Sequence, residues 1–239
     1  TMIPDQQFLS QEQVATTVLT LSDDDQAKIL NGKIIPGDRV FYPVKSHIRS
    51  SVPKTEKNNL DGKRFVFGGN PDGTYSDKQR VSSITSMLQE KGGELEVSND
   101  FDLAIHITGN LPDFSKLTEL SRDEWDKLVD QFINAPAKWT RHALNDFVPG
   151  GSDDPRKFKD ANGRIVIIGP ALPTGKKISG HERAKVEVFR GLLRPFVTTV
   201  NQELSDVLKS NIRVFLILPG TVDGKEPNNE NIVNTINYL

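Results

Sequence analysis

Cysteine is absent from the 239 residues, which removes disulfides, thiolate metal sites and cysteine nucleophiles together. Histidine is nearly as scarce: His47, His106, His142 and His181 stand singly, a scatter that argues against a zinc site, so no metal is expected. Tyrosine occurs only as Tyr42, Tyr75 and Tyr238. No apolar run approaches the roughly 18 residues that cross a bilayer, and the N-terminus lacks the basic-then-apolar pattern of a secretory signal. The reading is therefore a soluble chain of the cytoplasm, with the mitochondrial matrix as the other compartment open to it. Neither sign of charge is in excess, with 30 basic against 32 acidic side chains and a net charge of −2. Nothing favours counterion-release binding, so neither nucleic acid nor a membrane is an expected partner.

What is present divides near residue 60. In "FLSQEQVATTVLTLSDDDQAKIL" Ser10 and Gln13 have capping-box spacing ahead of an apolar-periodic stretch, which predicts one or two short helices. The acidic run Asp23 to Asp25 reads as a solvated helix start. "IIPGDRVFYPVKSHIRSSVPKTEKNNLDG" follows with three prolines and little periodicity, an extended arm. Residues 1–60 are thus expected to be an N-terminal helical segment and arm, and 61–239 the main domain.

From Lys63 strands and helices alternate. "KRFVFGG", "ELEV", "DLAIHITG", "GRIVIIG" and "NIRVFLILPG" read as strands, the fourth apolar on both faces as a central parallel strand should be. Between them lie "SSITSMLQEKGG", a long segment opening on a Ser121/Glu124 capping box, and "HERAKVEVFRGLLRPFVTTVNQELSDVL". The second helix carries Trp125, Val129, Phe132, Pro136, Trp139 and Ala143 in helical period and should bend at Pro136; the third has Val186, Phe189, Leu193, Phe196, Val200 and Leu204 on one stripe, with a bend at Pro195. Single helices between strands force parallel pairing and right-handed crossovers, hence a doubly wound α/β sheet.

The order of "DEWDKLVDQF", "GRIVIIG", "RPFVTTVNQELSDVLKSNIRVFLILPGTV" and the turn at Pro219-Gly220 resembles the short-chain dehydrogenase/reductase family over about residues 61–222, especially its 3-oxoacyl-carrier-protein reductase branch. The resemblance implies a Rossmann-like fold. Between Gly93 and Asp102 the chain omits a strand, so the order 3-2-1-4-5-6 becomes the flavodoxin-like 2-1-3-4-5. This shortened form looks like the degenerate N-terminal half of the high-molecular-weight 3-oxoacyl reductases.

The resemblance also implies where a cofactor and a proton relay would sit. Of the family's three loop glycines, Gly69 and Gly73 match the first two and Tyr75 stands at the third; His106-Ile107-Thr108-Gly109 replaces the Asn-Asn-Ala-Gly segment, leaving Gly109, and Gly220 closes the set. The helix Asn falls on Phe132 and the catalytic Ser on Pro170. Anchoring on the later helix puts Val186 and Arg190 at the Tyr and Lys positions, whereas an i, i+4 spacing gives His181 and Lys185. Neither register contains a tyrosine, the acid whose pKa a neighbouring Lys would lower.

Three function classes follow. The first is a pseudoenzyme: a non-catalytic reductase-like domain with an assembly or regulatory role in a 3-oxoacyl (fatty-acid) reductase system, with no cofactor expected. The second is a working oxidoreductase using NADP or NAD with atypical residues. The third is a flavodoxin-like binder of a phosphate ligand at Gly69 to Ser76. By the same resemblance the helices at 121–147 and 181–207 are the expected surface for a homodimer or for docking on a reductase domain or subunit. The "RVFLIL" strand is expected at an open sheet edge, a hazard unless something pairs or shields it. On that ground the chain is expected to be one half of a larger object. After it, Ile232, Val233, Ile236 and Leu239 have helical spacing.

Overall fold

The computed structural model describes residues 59–69, 77–96, 100–112, 116–148, 150, 154–172, 180–220 and 228–239, with Glu12 and Ala15 as isolated helical positions. The chain divides into two compact units, Thr1–Ser50 and Ser51–Leu239. In the first, Glu12 and Ala15 are helical and exposed, in the stretch read as a helix; the extended arm lies outside the described residues as far as position 58. The second unit holds the sheet.

Five parallel strands, β1 (Arg64–Gly68), β2 (Glu94–Leu95), β3 (Leu103–Ile107), β4 (Arg164–Ile168) and β5 (Arg213–Ile217), lie in the order 2-1-3-4-5. The register runs Phe65↔Leu103 and Ile105↔Val166↔Phe215. The segment read as a four-residue strand, "ELEV", keeps only Glu94 and Leu95 in the ladder, as fits an edge strand with both residues exposed.

Alternation along the central strands splits the core in two. Ala104, Ile165, Ile167 and Val214 face α3 (Ala135–Phe147) and α4 (Gly180–Gln202), packing on Ala143, Phe147, Leu193 and Val197. Leu103, Ile105, Ile107, Val166 and Ile168 face α1 (Lys78–Glu90) and α5 (Asn229–Tyr238), packing on Ile84, Leu88, Ile232, Val233 and Ile236. Because both faces are covered, β3 is buried at every position. At about 25 cal/mol per Å² of apolar surface, each such fully buried Ile contributes roughly 1.5–3 kcal/mol.

The long helix before β4 breaks where its chemistry requires. The Ser121/Glu124 capping box forms as read from the sequence and starts α2 (Arg122–Val129). An i→i+5 turn, Asp130–Asn134, then separates α2 from α3, with the Ala135 N–H donating to the Asp130 carbonyl. The irregularity thus lies one turn before Pro136 rather than at it. A proline ring collides with the carbonyl four residues earlier in a straight helix, and widening the preceding turn removes that clash while Pro136 sits in the first turn of α3, where its missing N–H is not needed. Pro195 is exposed within α4, which runs through it unbroken, and a second wide turn, Glu203–Val207, follows that helix.

Among the described residues β5 pairs with β4 alone. At Val214 its outer edge is met from within the chain. The Asn201 side-chain amide mimics a neighbouring strand, donating to the Val214 carbonyl at 2.7 Å and accepting the Val214 N–H at 2.9 Å. α5 is tied down at its end: buried Asn237 accepts the Asn59 N–H through Oδ1 at 3.0 Å, and its carbonyl accepts Asn59 Nδ2 at 2.9 Å.

Candidate functional site

In this strand order the chain reverses direction across the sheet between β1 and β3, so a crevice opens beyond their carboxyl ends. Gly68 and Gly69 end β1 on one side; Ile107, Thr108 and Gly109 end β3 on the other. Gly109 has φ 80°, a left-handed turn that favours glycine. Thr108 is anchored by its N–H to the Ile168 carbonyl at 3.0 Å, and its own carbonyl accepts Gln131 Nε2 at 2.8 Å. Gln131 lies in the i→i+5 turn, which rotates by one position the side chains aimed at the sheet end. Counting along an unbroken helix therefore points to Phe132 and misses the amide beside it.

Beneath the crevice Trp139 lies flat against the end of β1. A Cβ added at Gly68 would fall closer to the Trp139 ring than real Cβ contacts allow. His106 is the register partner of Gly68, so its side chain leaves the sheet on the same face. His106 is 1% exposed and neither ring nitrogen has a hydrogen-bond partner of normal geometry. Burial pushes its pKa down to about 4, with the Gly68 backbone opposing, so the imidazole is neutral near pH 7.

Pro170 follows β4 and is buried. Val186 and Arg190 on α4 both turn inward and are buried, whereas Lys185 is only half-buried, one position around the helix. His181 belongs to the first turn of α4; its side chain lies outside the described residues. The Arg190 guanidinium acts as a clasp. Nη1 donates to the carbonyls of Pro219 at 2.9 Å and Pro170 at 3.4 Å, and Nη2 to that of Leu218 at 3.4 Å. Burial lowers its pKa, with Glu187 opposing at 3.8 Å from Nε and Arg194 and Arg183 adding to the lowering; a guanidinium stays charged through such shifts. Phe132 is fully buried and packs on Phe189, ring centroids 5.1 Å apart, with the Trp125 ring 5.8 Å from the same Phe189 ring.

The glycines read as cofactor-binding separate. Gly69 and Gly109 flank the crevice; Gly220 lies beyond β5, with nothing within 4 Å of an added Cβ; Gly73 and Tyr75 lie outside the described residues, as does most of the Gly69 to Ser76 loop. At the head of α1, Asp77 Oδ1 accepts the Arg80 N–H at 2.9 Å, a cap that the glycine pattern does not reveal. Among the described residues no group of three His, Asp or Glu side chains could hold a metal ion, and no helix is long and apolar enough to cross a membrane.

No family model matches the chain. It is similar to uncharacterized oxidoreductases of Staphylococcus aureus: 26% identity over 147 residues with that of strain MRSA252, 61% of this chain and 53% of the relative, and 26% over 149 residues with that of strain USA300, 62% and 54%. The chain spans about half the length of the curated relatives it matches. Among solved structures, an NADH-dependent reductase complexed with NAD superposes with TM-score 0.53 at 14% identity over 76% of this chain and 89% of that one. A variant Serratia marcescens short-chain dehydrogenase/reductase gives 0.51 at 17%, over 76% and 90%. The chain thus has the Rossmann-like fold found in short-chain dehydrogenases/reductases, and its curated relatives are oxidoreductases.

Proposed function

We propose that the Ser51–Leu239 unit is a short-chain-reductase-like pseudoenzyme, a module with an assembly or regulatory role in a 3-oxoacyl reductase system. Arg190 is the observation that carries this reading. The relay implied by the resemblance needs an acid whose pKa a neighbouring ammonium lowers. Here the inward-facing pair is Val186, which has no proton to give, and a guanidinium committed to the carbonyls of Pro170, Leu218 and Pro219. A nicotinamide dinucleotide fits the head of α1 poorly, because an acidic side chain already caps that helix.

For the assembly role, the surface favoured is narrower than the whole of both helices. Trp125 and Phe132 are partly used on Phe189, and Trp139 on Gly68. What α4 leaves partly outside is Leu192, 42% exposed, with Val188 and Phe196 at i, i+4 spacing on either side of it, both half-buried against the core. A second copy of the chain or a reductase subunit is the occupant proposed for it, through the helices at 121–147 and 181–207.

A second reading has support of its own. The curated relatives are described as oxidoreductases, and His181 and Lys185 stand one turn apart at the start of α4. An NAD(P)-dependent oxidoreductase using that pair is the alternative. Steady-state assays with NADPH and NADH against 3-oxoacyl thioesters separate the two. The pseudoenzyme reading expects no turnover; turnover abolished by His181→Ala and by Lys185→Met would overturn it in favour of the second.

A further inference from the structure

The head of α1 is filled from within the chain. Asp77 caps the helix: Oδ1 accepts the Arg80 N–H at 2.9 Å, its carbonyl accepts the Val81 N–H at 3.0 Å, and Oδ2 lies 3.7 Å from Arg80 Nε. The two side chains are 23% and 11% exposed, and Arg80 Nη1 is buried without a partner. A helix start that follows β1 at the switch point draws an anion in three ways: through its open first-turn amides, through the positive end of its dipole, and through any nearby cation. In this chain one carboxylate bears on each of the three in part. It occupies the third-residue amide, sits at the positive end of the helix, and neutralises the guanidinium beside it.

We infer that Asp77 is a built-in anion that excludes dianionic phosphate from the head of α1, and so sets this domain against nucleotide ligands. The inference rests on the non-catalytic reading for its purpose, though its geometry is independent of Arg190. A phosphate oxygen within hydrogen-bond reach of the Arg80 amide would have to share that space with the carboxylate, and like charges at such a distance repel strongly in a partly buried site.

Asp77→Asn tests this. Asparagine caps a helix about as well as aspartate, so the fold is retained while the charge is removed; Asp77→Ser, another good cap, guards against an unstable variant. The full 239-residue chain is titrated with inorganic pyrophosphate and with NADH by calorimetry at low salt. The expected result is pyrophosphate binding on the order of tenfold or more tighter in both variants than in the parent chain, weakened by salt and lost when Arg80→Gln is added. Equal affinity in parent and variants, whether tight or absent, overturns the inference even if the parent is catalytically silent. Catalytic turnover by the parent chain is a separate measurement and bears on the pseudoenzyme reading instead.

Discussion

Replacing Arg190 by methionine removes the donors that hold the loops after β4 and β5 together while keeping most of the side chain's apolar volume. The arginine is 6% exposed, so the buried Pro170 and Pro219 and the half-buried Leu218 would each lose a donor to their carbonyls, Pro219 keeping the Leu172 N–H at 3.4 Å. A hydrogen bond to a charged group contributes about 1.5–3 kcal/mol, and one of the three has ordinary length, at 2.9 Å, the other two being long at 3.4 Å. Relief of the buried charge's desolvation works the other way, and Glu187, 31% exposed at its side chain, can turn to Arg194 at 3.5 Å. The balance is a loss of roughly 2–4 kcal/mol, which for a domain of this size lowers the thermal midpoint by roughly 4–16 °C. Arg190→Lys should recover about a third to a half, since one ammonium reaches fewer carbonyls than the planar fork. Urea unfolding of the three proteins gives the numbers. If Arg190→Met costs under about 1 kcal/mol, the guanidinium is not the clasp described, and a role in binding or chemistry becomes the better account of its burial.

His106 sets an acid limit on stability. Its folded pKa of about 4 lies below the ordinary 6.5, so between those values the unfolded chain takes up a proton that the folded chain does not. Its contribution is flat above about pH 6.5, falls as pH drops through the window, and levels off below about pH 4, a loss of about 3 kcal/mol at about 1.4 kcal/mol per pH unit. His106→Gln should abolish that portion of the slope in urea titrations between pH 7 and 4; an unchanged slope would show that other groups carry it. Gly68→Ala should cost about 1–3 kcal/mol by driving a methyl group into the Trp139 ring, and Trp139→Leu should make the alanine tolerable, a non-additive pair that a double-mutant cycle reads directly. Asn201→Leu should lower stability by about 1–3 kcal/mol and raise concentration-dependent aggregation in light scattering, because it unmasks the Val214 edge of β5; a variant that stays monodisperse would mean the edge needs no shield.

The order of strands and helices was legible because it is written in periodicity. Residues such as Ile165 to Ile168 have no polar member, and a strand without one must be covered on both faces. The sheet order 2-1-3-4-5 was legible through the resemblance, as the family's order with its third strand removed, and the structure has it. The Ser121 cap and the C-terminal helix were legible for the same local reason: a few neighbouring side chains decide them.

The candidate site was legible only as a set of absences, since the sequence shows that no tyrosine stands near residues 181–190 but not what takes its place. That was decided by contacts between residues far apart in the chain. Arg190 becomes a clasp because α4 lays it under loops 20 to 29 residues away. Gln131 reaches Thr108 only because a wide turn, set by the collision Pro136 would otherwise make, rotates it there. Val214 finds its partner in a side chain on the preceding helix, not in another strand. Periodicity reports which face of an element is apolar; it carries no information on which polar group ends up opposite which, because hydrogen bonds depend on distances that exist only once the helices have packed on the sheet.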